Sequence, residues 1–181
     1  MRQPVTAARL RDFMKALSAA AAAPSRVFLV GGATAVLLGW RDSTIDVDLK
    51  IVPESDEIFR YLPVLKERLQ INVELASPDD FIPELPGWQE RSSFIQQEGK
   101  LAFFHYDFHA QTLAKIERGH RLDLQDVREL IERGLVEPQR LLALFSAIED
   151  QLYRYPALDG PSFRRAVERV VQETEPGSVK G

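Results

Sequence analysis

The sequence predicts an α+β chain: a small mixed β-sheet core with flanking helices, followed by a purely helical C-terminal part. Three observations carry this. Short apolar runs alternate with helically spaced segments over about the first hundred residues. One segment, Thr44 to Val52, shows strict apolar–polar alternation. From about residue 107 onward only helical spacing remains, and strands followed by a block of helices is the α+β pattern.

Each element has its own signal. Residues 6–23 read as a helix that Thr6 caps, with Leu10, Phe13, Met14 and Leu17 on one stripe and Pro24 as its stop. Arg26 to Val30 is a short buried strand, and Gly31-Gly32 leads at once into a helix from Ala33 to Leu38 that Gly39 closes. Over Thr44 to Val52, Ile45, Val47, Leu49 and Ile51 share one face and Asp46, Asp48 and Lys50 the other. A helix from Ser55 to Gln70 contains Pro63, which predicts a kink or two shorter pieces. Ile71 to Leu75 is a third strand, with Asn72 and Glu74 alternating against apolar residues. Prolines and Gly87 make 76–91 a loop with one helical turn near Pro78. Ser92–Gln97 and Leu101–Tyr106 read as a hairpin across Glu98-Gly99. Four helices follow: one capped by Asp107 and ended by Gly119, Leu124–Arg133, Pro138–Tyr153, and 161–174. The expected division is 1–106 as the α/β core, 107–174 as a helical part packed on it, and 175–181 as a frayed tail.

Composition narrows the function classes. A chain of 181 residues with 45% hydrophobic residues can bury a sizeable core. No cysteine is present, which excludes disulfides, thiolate zinc sites and cysteine nucleophiles. No run reaches the roughly 18 apolar residues of a membrane span, and the Ala-rich segment 19–23 follows an amphipathic, charged stretch unlike a signal peptide. A cytoplasmic protein without membrane association is expected. A net charge of −4 argues against broad nucleic-acid binding. Arg118, His120 and Arg121, and Arg164, Arg165 and Arg169, are the candidate basic patches, and a solvated helix face is the plainer reading of each.

The chemistry concentrates in three features that follow in order. Gly31-Gly32 lies between a strand and a short helix, where glycine lets a phosphate approach backbone N–H groups; a plain tight turn is the other reading. Asp46 and Asp48 point to one face of a strand, about 6–7 Å apart, and two carboxylates so placed repel unless a cation lies between them. Oxygen donors of this kind suit Mg²⁺, which takes one or two carboxylates plus substrate phosphates. Glu74 sits on the polar face of the next strand and joins the aspartates if the strands are neighbours, as a third metal ligand or as general base.

The run Gly31-Gly32-Ala33 … Arg41-Asp42-Ser43-Thr44-Ile45-Asp46-Val47-Asp48-Leu49 resembles the signature of the polymerase-β-type nucleotidyltransferase superfamily. A later segment, Leu113-Ala114-Lys115-Ile116-Glu117-Arg118-Gly119 and then Arg121-Leu122-Asp123-Leu124-Gln125-Asp126-Val127, is similar to that of the AbiEii-type group, the toxins of bacterial toxin–antitoxin pairs, and its little-characterised relatives. The likeness spans roughly residues 26–130. It implies a Mg²⁺-dependent transfer of a nucleoside monophosphate from an NTP to an acceptor hydroxyl on a tRNA 3′ end, another RNA, a protein or a small molecule. It also implies a partner antitoxin. Asp46, Asp48 and Glu74 would hold metal, Gly31, Gly32 and Thr44 would line the phosphates, and Lys115 would offset triphosphate charge as a point cation. Asp126, or else Asp123, would hold Lys115, although Asp123 is also placed to cap a helix.

Gly32 departs from the serine that often follows the first glycine, so a hydroxyl is missing there. Trp88 and Arg91 are candidates for a base or acceptor pocket, with loop anchoring as the plainer role. His105, Asp107 and His109 only superficially suggest a metal trio; capping and packing explain them better. The rival to an enzyme is a nucleotide-binding or regulatory module of the same fold with little transfer activity.

Overall fold

A computed structural model describes residues 2–177, so the last four residues of the expected tail, 178–181, lie outside the described residues. Glu175, the first residue of that tail, accepts a hydrogen bond from Gln139 Nε2 at 2.7 Å. The chain clusters into two compact units: Met1–Ser77 with Ser92–Tyr106, and Pro78–Arg91 with Asp107–Gly181. The fold is α+β.

The first unit holds two sheets. Strand β1 (Val5–Thr6) leads into helix α1 (Ala7–Ser18), with the Thr6 hydroxyl accepting from the Arg9 N–H. The alanine run expected to extend this helix leaves it after Ser18, because the stripe of Leu10, Phe13, Met14 and Leu17 ends there. Ala20 and Ala21 still pack against the core, held by turn bonds to the Leu17 and Ser18 carbonyls at 3.1 and 3.2 Å. Then follow β2 (Ser25–Val30), helix α2 (Gly32–Leu38), β3 (Ser43–Thr44) and β4 (Asp46–Val52). The strand expected to run unbroken from Thr44 is interrupted at Ile45, which is 59% exposed and not on the core face. Its first two residues pair instead with β1, Val5 opposite Thr44 and Thr6 opposite Ser43.

Helix α3 (Asp56–Leu69) is one continuous helix through Pro63, not two shorter pieces; the proline is exposed, while Ile58, Leu62 and Leu65 are buried. Strand β5 (Asn72–Glu74) is shorter than expected. The hairpin of β6 (Ser93–Glu98) and β7 (Leu101–His105) completes the unit. The main sheet has the order β5-β4-β2-β7-β6. Strand β2 runs antiparallel to β4 and parallel to β7, and β4 runs parallel to β5. Val27, Leu29, Val47, Leu49, Ile51, Val73, Leu101 and Phe103 bury one cluster with α1, α2 and α3. On the alternate positions, Phe28 and Phe104 stack with centroids 5.4 Å apart, and Phe94 meets Phe104 edge-on at 5.6 Å.

The second unit is helical. It contains the short α4 (Trp88–Arg91), then α5 (Phe108–Arg118), α6 (Arg121–Glu132), α7 (Pro138–Ile148) and α8 (Gly160–Thr174). A 3₁₀ stretch, Glu149–Arg154, replaces the last turns of the helix expected to reach Tyr153. Phe145 and Phe163 meet at 4.8 Å between centroids and join α7 to α8. Residues 78–91, placed with the α/β part on sequence grounds, cluster here instead. Long-range bonds explain why: Tyr155 Oη donates to the Asp79 carbonyl at 2.9 Å, and Arg91 reaches Asp107. Helix α6 starts at Arg121, three residues earlier than expected, so Asp123 lies inside the first turn and is not the cap.

Candidate active site

The acidic strand behaves as its alternation demands. Val47, Leu49 and Ile51 are buried, while Asp46, Asp48 and Lys50 are half-buried on the other face. Antiparallel register places Val30, the last residue of β2, opposite Asp48. The chain then turns through Gly31, whose φ of +62° favours glycine. A Cβ on Gly31 would stand 3.6 Å from Asp48 Oδ2, so this turn runs directly beside the carboxylate. Helix α2 begins here, and the N–H groups of a first helical turn have no acceptor within the helix.

Gly32 is fixed by space. A Cβ there would fall 2.1 Å from Thr44 Oγ1 and 2.7 Å from Thr44 Cβ, so alanine is excluded unless Thr44 gives way. The Thr44 hydroxyl donates to the Asp46 carbonyl at 3.0 Å. Thr44 therefore supports two site residues at once: it backs the glycine turn and holds the start of the acidic strand.

Parallel register sets Asn72 beside Asp46 and Glu74 beside Asp48. The exposed Glu74 thus shares the face of the two aspartates. Asn72 Nδ2 donates to Asp46 Oδ1 at 2.7 Å and to Glu74 Oε1 at 3.0 Å. Sequence reasoning missed this link, since an asparagine on a polar strand face carries no signal of its own. Among the described residues no three His, Asp or Glu side chains converge as a ready-made metal cage. The donor set still fits Mg²⁺, which needs only one or two carboxylates when phosphates complete its shell. Asp46 and Asp48 are the residues that would hold it.

On the core side of the same unit, His105 is 5% exposed and its Nδ1 lies 3.1 Å from the Thr34 hydroxyl in the first turn of α2. Burial pushes the imidazole down to about 4. It ties the glycine-turn helix to β7. The shift has a sign in stability. Between pH 4 and 6.5 the unfolded chain binds the extra proton, so stability should rise with pH through that window and be complete above it. From the size of the shift, about 3 kcal/mol is lost as pH falls from 6.5 to 4. Urea denaturation across this range checks it: a His105→Gln chain should lose most of that slope.

In the second unit, Lys115 is buried in an ion-pair cluster. Its ammonium is 2.8 Å from Asp126 Oδ2 and 3.7 Å from Asp123 Oδ1. Arg118 grips Asp123 with Nε at 2.7 Å and Nη2 at 2.6 Å. Both acids thus face Lys115, with Asp126 the closer. Burial raises the Asp123 carboxyl, but the Arg118 hydrogen bonds and the Arg118 and Lys115 charges outweigh it, leaving the group below its ordinary value.

Other candidates are accounted for locally. Arg91 donates through Nε and Nη2 to Asp107 Oδ2 at 3.1 and 2.7 Å, and through Nη1 to the Pro86 carbonyl. Trp88 is 3% exposed and anchors its segment, so neither residue is presented as a stacking surface. Asp107 Oδ1 caps α5 by accepting from the His109 N–H at 3.1 Å. Of the basic patches, Arg118 is committed to Asp123, and Arg164 pairs with Glu149 and with Glu168 at 2.9 Å. No helix among the described residues is long and apolar enough to cross a membrane.

A glycine turn against an acidic strand is chemically able to take phosphate and a divalent cation. Residues 8–161 match the sequence model of a family described as nucleotidyltransferase of unknown function (DUF6036). The chain belongs to that family and is, at this coarse level, a nucleotidyltransferase. No curated protein and no solved structure matches it.

Proposed function

We propose that the chain is a Mg²⁺-dependent enzyme that moves a nucleoside monophosphate from an NTP to an acceptor hydroxyl. The observation that carries this is the Gly31-Gly32 turn lying against Asp48 on the face shared by Asp46 and Glu74. Asp46 and Asp48 hold the cation, which when bound neutralises charge on the triphosphate. The backbone at Gly31 and Gly32 takes phosphate oxygens, with Thr44 fixing the turn from behind. Glu74 accepts the proton of the acceptor hydroxyl. That oxygen forms a bond to the α-phosphorus, the α–β phosphoanhydride bond breaks, and pyrophosphate leaves. Most of the acceleration comes from positioning and charge compensation. The reading draws on the first unit alone.

The finer assignments follow the AbiEii-type resemblance: an RNA 3′-hydroxyl, as on tRNA, is the acceptor, and the activity serves a toxin held in check by a protein antitoxin. Incubation of the pure protein with each α-labelled NTP, Mg²⁺ and total RNA tests the proposal. Label should enter RNA with one or more NTPs, and only when Mg²⁺ is present. Label on the protein itself would reject the RNA acceptor. A Mg²⁺-dependent rise in melting temperature with an NTP, but no transfer to any acceptor, would favour a nucleotide-binding module instead.

A further inference from the structure

A neutral side chain joins two of the acids. Asn72 lies on β5 in register with Asp46 and two residues before Glu74, and a single nitrogen serves both acids, at 2.7 and 3.0 Å. Only one orientation of the amide satisfies this contact. Carboxylate oxygens accept hydrogen bonds, so the Nδ2 side and not the carbonyl oxygen must face them. Both amide hydrogens are then engaged, one on each acid. The link spans two strands, since Asp46 is on β4 and Glu74 on β5.

We propose that Asn72 is the positioning residue of the acidic site and sets its affinity for a divalent cation. It joins two like-charged groups through a neutral donor, fixing their orientation without adding charge. One oxygen of each acid is bound to the amide, and the second remains for other partners. Outer partners that orient ligand carboxylates commonly change metal affinity when lost. Aspartate at position 72, nearly the same shape, would replace two hydrogen bonds with two repulsions. A divalent cation relieves such repulsion, so the aspartate chain should bind it more tightly. Alanine removes the link alone, and binding should weaken. Opposite signs from the two substitutions are the signature of a residue that tunes the cation site.

This inference rests on the reading of Asp46 and Asp48 as metal ligands, and the test separates the two. Mn²⁺ binding to the full chain, without nucleotide, is measured by the loss of the free-ion electron paramagnetic resonance signal. Wild type, Asp48→Asn, Asn72→Ala and Asn72→Asp are compared, and the melting temperature of each is recorded without metal. Wild type should bind Mn²⁺ and Asp48→Asn should not. Asn72→Ala should bind roughly tenfold or more weakly, and Asn72→Asp more tightly than wild type. If Asn72→Ala and Asn72→Asp bind like wild type, whatever their melting temperatures, Asn72 is only a structural link and the inference fails while the metal reading stands. If wild type neither binds Mn²⁺ alone nor shows a Mn²⁺-dependent rise in melting temperature with an NTP, or if Asp48→Asn behaves equally well, the metal reading fails and takes this inference with it; if only the nucleotide-loaded chain takes the ion, the four chains are compared by that rise.

Discussion

Replacing Asp48 with asparagine should lower nucleotidyl transfer by about a thousandfold or more, the loss of several kcal/mol of charge stabilisation at the phosphates. Asp46→Asn should do the same. Both side chains lie on the half-buried face of β4, away from the apolar cluster of Val47, Leu49 and Ile51. Removing one of two like charges relieves repulsion, and the melting temperature of the metal-free protein should hold or rise. Activity and melting temperature are therefore measured on the same preparations. Transfer at the wild-type rate by both variants would end the assignment. A parallel collapse of melting temperature would show that these acids serve the fold instead.

Lys115→Met should bring a large loss of stability. Asp126 is 1% exposed, and Lys115 is its partner at 2.8 Å. Taking away one member of a buried pair strips the other of its opposite charge, typically at a cost of about 3–5 kcal/mol. Asp123 suffers less because Arg118 still holds it through two hydrogen bonds. Adding Asp126→Leu to Lys115→Met should recover much of the loss, since an apolar pair often replaces a buried ion pair at little cost. Urea midpoints at unchanged slope report both effects. A single variant as stable as wild type would mean that the pair is solvated in solution.

Much of this was legible in the sequence where a local rule decides the outcome. The alternation around Val47, Leu49 and Ile51 placed both aspartates on one face, and Gly39 and Gly119 ended their helices in left-handed conformation as expected. What escaped depends on residues far apart in the chain. Two-residue strands have no period, so the pairing of Val5 with Thr44 was invisible. His120 makes no side-chain cap, so nothing marked the start of α6 and Asp123 was offered as the cap. The hold of Asp126 on Lys115 was within reach of the sequence, but the depth at which the pair is buried is a tertiary fact. Asn72 was passed over because its meaning lies in register, and register belongs to the sheet.

The pairing of Val5–Thr6 with Ser43–Thr44 bears on how the protein can be cut or tagged. The stretch that defines the family starts at residue 8. A shortened version beginning there would keep every candidate ligand and still lose the strand that holds Thr44, the residue that leaves Gly32 no room for a side chain. Such a fragment would carry an intact list of site residues around a loosened turn, and its inactivity would say nothing about the chemistry. An affinity handle is safer with a spacer ahead of Val5 than fused directly against it.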